Sequence, residues 1–194
     1  MAKTQQERRA DTRQRLLTAA RDLIAERGVA GASIDALAEA ADRTSGALYA
    51  QFGNKDGLLL ALLDHWKEAT ATAIAAEFET TTSLDARLGA LWSNFVNPPD
   101  NGEAWVLLEH ELWLYACRNP VAQDQVAARY NGAREQLAEA LPDWAPAHGP
   151  SPVEAATLVI ALMLGLEMQR RLDPDAVSDD LALAGLRALL GRPA

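Results

Sequence analysis

Apolar residues recur at helical spacing along nearly the whole chain, and this periodicity is the feature that most limits the possible folds. Leu16, Ala20 and Leu23 share one face of a first helix predicted over 12–27, which Gly28 ends. No stretch alternates apolar and polar residues for long with the β-branched enrichment that strands show. The sequence therefore predicts an all-α protein.

Capping residues and helix breakers divide this pattern into further helices. Ser33, Thr44 and Asn54 have short polar side chains that cap helix N-termini, and they predict helices ending near 41, 52 and 78. Segments containing Pro, Gly or Asn separate five more predicted helices, at about 83–96, 103–118, 120–141, 152–172 and 177–191. We expect a three-helix N-terminal domain over 1–55 and a larger C-terminal helical domain over 56–194, joined through the fourth helix.

Charge is distributed unevenly between these two parts. Residues 1–55 contain nine Lys/Arg and seven Asp/Glu, whereas residues 56–194 contain nine Lys/Arg and twenty Asp/Glu. A polyanion would be repelled by most of the molecule and tolerated only by its N-terminal quarter. The alternative is that the acidic surface serves solubility alone.

Several features predict a cytoplasmic protein without a membrane partner. The single cysteine, Cys117, excludes a disulfide framework and fits a reducing compartment. Residues 1–15 are polar and lack the apolar segment of a secretion signal. The longest apolar run, 155–166, is shorter than a membrane span and predicts a buried helix.

The first three predicted helices have the arrangement of a helix-turn-helix unit. An ordinary helical subdomain has the same spacing, so the local residues decide between the two. Gly46 lies in the first turn of the third helix, where Gly costs about 1 kcal/mol relative to Ala and is useful if another surface approaches closely. Groups suited to bind phosphate surround it: Tyr49, Gln51, Lys55 and the helix N-termini capped by Ser33 and Thr44.

These residues resemble the N-terminal DNA-binding domain of TetR-family transcriptional regulators. The similarity runs without insertions over about 45 residues and is strongest in 44–55, Thr-Ser-Gly-Ala-Leu-Tyr-Ala-Gln-Phe-Gly-Asn-Lys. Earlier matching positions are Leu16, Leu17, Ala19, Ala20, Leu23, Ile24, Gly28, Ser33, Leu37, Ala38 and Ala41. The resemblance implies a sequence-specific transcriptional regulator and not an enzyme, with repression relieved by a small-molecule effector as the expected mechanism. The residues do not distinguish a repressor from an activator.

The resemblance also implies roles at individual positions. Tyr49 and Lys55 match residues that bind phosphate, and Ser33 and Thr44 match capping positions that face the DNA backbone. The positions expected to meet base edges are Ser45, Gly46, Ala47 and Ala50.

Three residues depart from the family pattern. Asp42 and Arg43 replace a Gly and a small apolar residue in the turn, and Gln51 replaces a His. Gln51 still suits a phosphate or a base edge, whereas Arg43 either reaches DNA or pairs with Asp42. The basic N-terminal residues Lys3, Arg8, Arg9 and Arg13 suit phosphate or minor-groove contacts, but without DNA we expect a disordered tail.

The last two predicted helices carry more apolar residues than a single chain readily buries. Apolar side chains surround the helix over 152–172, and the final helix adds Leu181, Leu183, Leu186, Leu189 and Leu190. We therefore predict a homodimer through these two helices, as the resemblance to TetR-family regulators also implies. Two symmetry-related recognition helices make a palindromic operator on double-stranded DNA a geometric expectation.

Large aromatic side chains in the C-terminal domain are candidates for a small-molecule site. Trp105, Glu109 and Trp113 recur four residues apart on one helix. Further candidates are His110, Trp66, Trp92, Phe95 and Met163. The alternative is an ordinary aromatic core; the resemblance favours a pocket, for an effector whose identity stays open. Glu109 between two tryptophans suits a cationic or amphipathic ligand.

The main competing interpretation, an all-α enzyme, has little support in the residues. His110-Glu111 is similar to the start of the HExxH zinc motif, but Leu114 occupies the position of the second His. His65, His110 and His148 share no ligand spacing, so we expect no catalytic residue, metal or cofactor. A second rival is a helical binding protein that kept the fold and lost DNA recognition, which the small groove-facing residues would allow.

Overall fold

The computed structural model describes residues 4–81, 83–97, 103–140 and 149–190, and for 103–105 it describes the backbone alone. All regular structure within these ranges is helical, which confirms the all-α prediction. The described helices are α1 (Gln5–Gly31), α2 (Ile34–Ala40), α3 (Ser45–Phe52), α4 (Lys55–Thr80), α5 (Leu84–Val96), α6 (Glu103–Ala116), α7 (Pro120–Ala140), α8 (Pro152–Leu172) and α9 (Asp179–Leu189).

Short polar side chains set where most of these helices begin. Six helices follow a Ser or Thr whose side chain accepts a backbone N–H three residues on, at Thr4, Ser33, Thr44, Ser83, Ser151 and Ser178. Each such cap stabilises its helix by about 1 kcal/mol. Asn54 Oδ1 accepts the N–H of Gly57 over 2.8 Å in the same way, which confirms the predicted start of α4.

Helix α1 begins earlier than the predicted residue 12, because a capping box starts it at Gln5. Thr4 Oγ1 accepts the N–H of Glu7 over 3.2 Å, and the Glu7 carboxylate accepts the N–H of Thr4 over 2.6 Å. The expectation of a disordered tail is therefore wrong for three basic residues that lie on α1, namely Arg8, Arg9 and Arg13. Lys3 lies outside the described residues.

One compact unit contains Met1–Ala69 and Asn101–Val126. In it α1 packs against α2, α3 and α6, and α2 packs against α3. Its fully buried side chains include Leu16, Ile24, Leu37, Leu48 and Val106. Contacts thus group α6 with the N-terminal helices, while the functional boundary at residue 55 stays a prediction.

The other compact unit contains Thr70–Asp100 and Ala127–Ala194. In it α5, α8 and α9 pack against one another around buried Leu88, Trp92 and Leu186. Helix α8 is long and apolar enough to cross a membrane, a property that core helices of soluble proteins share.

The apolar residues of α8 divide between two sides of the helix. Val159 and Met163 are buried, whereas Leu158 is 45% exposed. The sequence predicts burial of this helix on more than one side. Within the single chain only the side with Val159 and Met163 is buried.

Candidate nucleic-acid interface

The turn between α2 and α3 is tight because one residue adopts a left-handed conformation. Asp42 has a φ of +54°, and the N–H of Arg43 donates to the carbonyl of Ala38 over 2.9 Å. Leu37 and Leu48 are buried on the inner sides of the two helices. The polar positions of α3 consequently lie on its outer side, as in a helix-turn-helix unit.

The outer side of α3 combines small residues with one aromatic ring. Gly46, Tyr49 and Ala50 are exposed, and Ala47 is half-buried. A Cβ on Gly46 would lie 3.7 Å from Thr44 Oγ1, which is an ordinary van der Waals distance. The fold itself therefore does not require a Gly at position 46, and this favours close approach by another molecule as the reason for it.

Two exposed hydroxyls, of Ser33 and Thr44, lie at the N-termini of α2 and α3. Their oxygens accept the N–H groups of Ala36 and Ala47, each over 3.2 Å. A hydroxyl that accepts one hydrogen bond still has its own proton to donate. Both positions thus present a donor for a phosphate oxygen, beside the partial positive charge of a helix N-terminus.

Two polar residues predicted to meet DNA are bonded within the chain. Ser45 Oγ donates to Asp35 Oδ1 over 2.6 Å. Arg43 donates to the carbonyl of Asp42 over 2.6 Å, and its guanidinium lies 3.7 Å from the carboxylate of Asp11. The structure thus shows the intramolecular alternative for Arg43, and DNA contact by this side chain stays a prediction.

Lys55 and Gln51 both donate to backbone carbonyls. Lys55 Nζ lies 2.5 Å from the carbonyl of Val29, and partial burial lowers the pKa of this ammonium although Asp56 opposes the shift. Gln51 Nε2 donates to the carbonyl of Arg9 over 3.2 Å. An ammonium has three protons, so phosphate binding by Lys55 would use one of the other two.

The basic N-terminal residues that the sequence suggested for DNA lie on a helix packed against α3, and not on a disordered tail. The guanidinium of Arg13 lies 4.9 Å from the ring centroid of Phe52, and the carbonyl of Arg9 holds Gln51. The capping box at the start of α1 is the sequence signal for the helix itself, whereas its position beside α3 comes from tertiary packing.

Helix α6 is hydrogen-bonded at two points to residues that flank α2 and α3, and we call these two bonds the α6 anchor. Glu111 Oε2 accepts the N–H of Val29 over 3.1 Å. The hydroxyl of Tyr115 donates to Asp56, and this bond, together with burial, raises the pKa of the phenol. Val29 precedes α2 and Asp56 follows α3, so the anchor holds the chain on both sides of the recognition unit.

Two family matches cover most of the chain. Residues 16–62 match bacterial regulatory proteins of the tetR family. Residues 85–192, more than half of the chain, match the C-terminal domain of BetI-type transcriptional repressors. The chain is a TetR-family regulator. No curated protein sequence matches this regulator.

Solved structures share the fold of this TetR-family regulator. A TetR-family transcriptional regulator from Rhodococcus sp. is 24% identical, covers 94% of this chain and 96% of its own, and has a TM-score of 0.77. The multidrug binding protein EbrR, complexed with imidazole, is 27% identical, with 94% and 91% covered and a TM-score of 0.68. A transcriptional regulator from Saccharomonospora viridis in complex with choline is 21% identical, with 94% and 96% covered and a TM-score of 0.73.

The candidate ligand residues of the TetR-family regulator are divided between the two compact units. Trp66, Glu109, His110 and Trp113 belong to the first. Trp92, Phe95 and Met163 belong to the second. The side chain of Trp105 lies outside the described residues.

Burial distinguishes the candidates on α6 from one another. Glu109 is 3% exposed, whereas Trp113 is 36% exposed and His110 Nδ1 lies 2.8 Å from the carbonyl of Val106 in its own helix. A buried carboxylate requires polar or cationic contacts, so Glu109 has the clearest chemical requirement among them. In the part of the chain that the structure describes, no group of three or more His, Cys, Asp and Glu side chains is arranged to hold a metal ion.

Proposed function

We propose that this TetR-family regulator is a cytoplasmic homodimeric repressor that binds a palindromic operator and is released by a small-molecule effector. The observation that carries DNA binding is the outer side of α3, where an exposed Gly46 has no internal neighbour that requires it. Tyr49 and the capping hydroxyls of Ser33 and Thr44 supply donors around it. A helix surface of small side chains, surrounded by hydrogen-bond donors, suits close approach to a DNA groove.

The exposed side of α8 supports a two-fold dimer. Leu158, Ala161, Gly165 and Leu172 are exposed along one side of this helix, and Leu181 of α9 is 51% exposed. Small residues allow two helices to approach closely, and apolar side chains favour burial against an identical surface. The dimer would present two recognition helices about 34 Å apart, one for each half-site.

Gly165 offers a test of this dimer surface. A Cβ at this position meets nothing within 4 Å, so the single chain tolerates a side chain there. Gly165→Arg should convert a dimer into a monomer in analytical ultracentrifugation, while Gly165→Ala should leave a well-folded dimer. A Gly165→Arg protein that stays dimeric would place the interface elsewhere.

Helix α6 supports effector-controlled release, because it carries both a buried acid and the α6 anchor. Glu109 is buried on this helix, and two and six residues further Glu111 and Tyr115 bond to the recognition unit. A ligand that displaces α6 would therefore strain the anchor. A coupling of about 1–3 kcal/mol, or 5–150-fold in operator affinity, is enough to switch a promoter.

A carboxylate on the same helix as Trp113 suits an organic cation, so we propose this effector class for a site that includes Glu109. The Saccharomonospora viridis relative binds choline in its solved structure, which is consistent with this class. Choline titrated into the protein and followed by tryptophan fluorescence should bind, and Glu109→Gln should weaken binding at least tenfold. Equal affinity of both proteins for choline would remove Glu109 from the ligand site.

The α6 anchor has its own test. Tyr115→Phe removes the hydroxyl that bonds Asp56 and leaves the ring in place. We expect this variant to bind the effector as the wild type does and to show a smaller difference in operator affinity with and without effector. An unchanged difference would show that release does not pass through Tyr115.

The first experiment for the function as a whole is selection of binding sites from random duplex DNA at two salt concentrations. An enriched inverted repeat whose affinity falls steeply with salt would support a dimeric, sequence-reading regulator. Absence of enrichment would favour the rival, a helical binding protein that kept the fold and lost DNA recognition.

A further inference from the structure

The salt-dependent part of DNA affinity comes from Lys and Arg side chains at phosphates, and the two such side chains predicted at the interface each have a contact within the chain. Arg43 donates to a backbone carbonyl over 2.6 Å and pairs with Asp11 at 3.7 Å. Lys55 donates to the carbonyl of Val29 over 2.5 Å. The protein has a net charge of −9, so tight binding of a polyanion needs more cations than these two.

Two arginines of α1 meet this need. Arg9 and Arg13 are four residues apart, hence on one side of the helix, and both are exposed. Neither forms an ion pair with an acidic side chain in the described ranges. On the same helix, Arg15, Arg21 and Arg27 are each paired with an Asp or a Glu.

Two contacts hold this pair beside the recognition helix. The carbonyl of Arg9 accepts a hydrogen bond from Gln51 over 3.2 Å, and the guanidinium of Arg13 lies 4.9 Å from the centroid of the Phe52 ring. Gln51 and Phe52 are the last two residues of α3. The two arginines therefore continue the proposed interface beyond the C-terminal end of α3.

We infer that Arg9 and Arg13 form a second contact surface for DNA, the α1 arginine pair, which binds the phosphodiester backbone next to each half-site. The inference rests on the proposed function and adds residues that resemblance to the family did not assign. Its contribution is independent of base sequence, because phosphates carry no sequence information. Base readout stays with α3.

Salt dependence of the Arg9→Ala variant tests this surface. The variant keeps the backbone carbonyl that holds Gln51, so α3 retains its contact to α1. Each phosphate contact contributes about 0.9 to the slope of log affinity against log salt, and loss of one contact in each protomer should lower the slope by about 1.8. Between 50 and 200 mM salt the wild type should then lose about twelvefold more affinity than the variant. The selected operator and a random duplex should show the same change.

Arg27→Ala is the matched control. This variant removes the same charge from the same helix. The Arg27 guanidinium pairs with Glu26, and Arg27 lies roughly 27 Å from Arg9 along the helix axis. Its slope should equal that of the wild type. Arg9→Lys keeps the charge and should keep the slope.

Three outcomes have distinct meanings. An unchanged slope for Arg9→Ala, with a wild type that binds its operator, would overturn this inference and leave the proposed function intact. A slope for Arg9→Lys as low as that for Arg9→Ala would also overturn it, because phosphate binding requires only the charge. A wild type that binds neither duplex would overturn the proposed function itself.

Discussion

Gly46→Ala should make the protein more stable and a weaker DNA binder at the same time. The added Cβ lies 3.7 Å from its nearest neighbour, Thr44 Oγ1, so no internal clash opposes it. Ala is favoured over Gly in a helix interior by about 1 kcal/mol, and a position in the first turn retains about half of that. We expect the free energy of unfolding to rise by about 0.5–1 kcal/mol, which for a chain of this size is an increase in Tm of about 1–4 °C.

The effect on operator binding should have the opposite sign. A methyl group on the outer side of α3 separates the helix backbone from the DNA by more than an ångström, and this weakens the contacts around position 46. A loss of about 1.4 kcal/mol corresponds to tenfold in affinity. Thermal unfolding and fluorescence anisotropy on the selected operator measure the two quantities in one preparation.

Gly132→Ala provides the matched control on α7. A Cβ at Gly132 meets nothing within 4 Å, so this variant should gain stability with unchanged operator affinity. The reasoning is refuted if Gly46→Ala binds the operator as tightly as the wild type, since Gly46 would then serve no approaching surface. A Gly46→Ala protein that is less stable than the wild type would refute the predicted gain in stability, because the fold would then require the glycine.

Three further predictions concern stability. Asp42→Gly should raise the free energy of unfolding by about 1 kcal/mol in chemical denaturation, because Asp42 has a φ of +54°, whereas Asp42→Ala should not. Gly57→Ala should lower the free energy of unfolding by about 2 kcal/mol or more, because the new Cβ would lie 2.0 Å from the carbonyl oxygen of Phe52. An unchanged melting temperature would contradict this. The indole N–H of Trp92 donates to Asp179 over 2.8 Å and lowers the pKa of that carboxyl. The ionised Asp179 therefore stabilises the fold above the ordinary carboxyl pKa of 3.8, and this stabilisation is lost as pH falls through the lowered pKa. Asp179→Ala should accordingly lose less stability than the wild type on acidification, with unfolding followed by tryptophan fluorescence.

The helices were predictable because the signals that start and stop them are local. A cap such as Ser33 or Ser151 bonds an N–H three residues away, and a periodic apolar face is visible within two or three turns. The start of α1 differs from the prediction by the same rule, because the local capping box of Thr4 and Glu7 begins the helix before residue 12.

The candidate interface was predictable only in part. The exposed positions Gly46, Tyr49 and Ala50 follow from the periodicity of α3 once Leu48 is placed inside. The contact of Arg43 with its neighbour Asp42 was predicted as an alternative, but side-chain partners from distant parts of the chain were not predictable. Asp11 for Arg43 is one case.

The sequence by itself determined which segments are helices, which helix presents its small residues outward, and which family the chain belongs to, since each of these depends on neighbouring residues. The tertiary structure alone decided the partners that polar side chains find in distant parts of the chain. Lys55 donates to the carbonyl of Val29, and Gln51 donates to that of Arg9. Glu111 of α6 accepts the N–H of Val29. Such bonds join residues far apart in sequence, and they form because packing of α1 against α3 and α6 brings a donor and an acceptor together where burial makes an unpaired polar group costly.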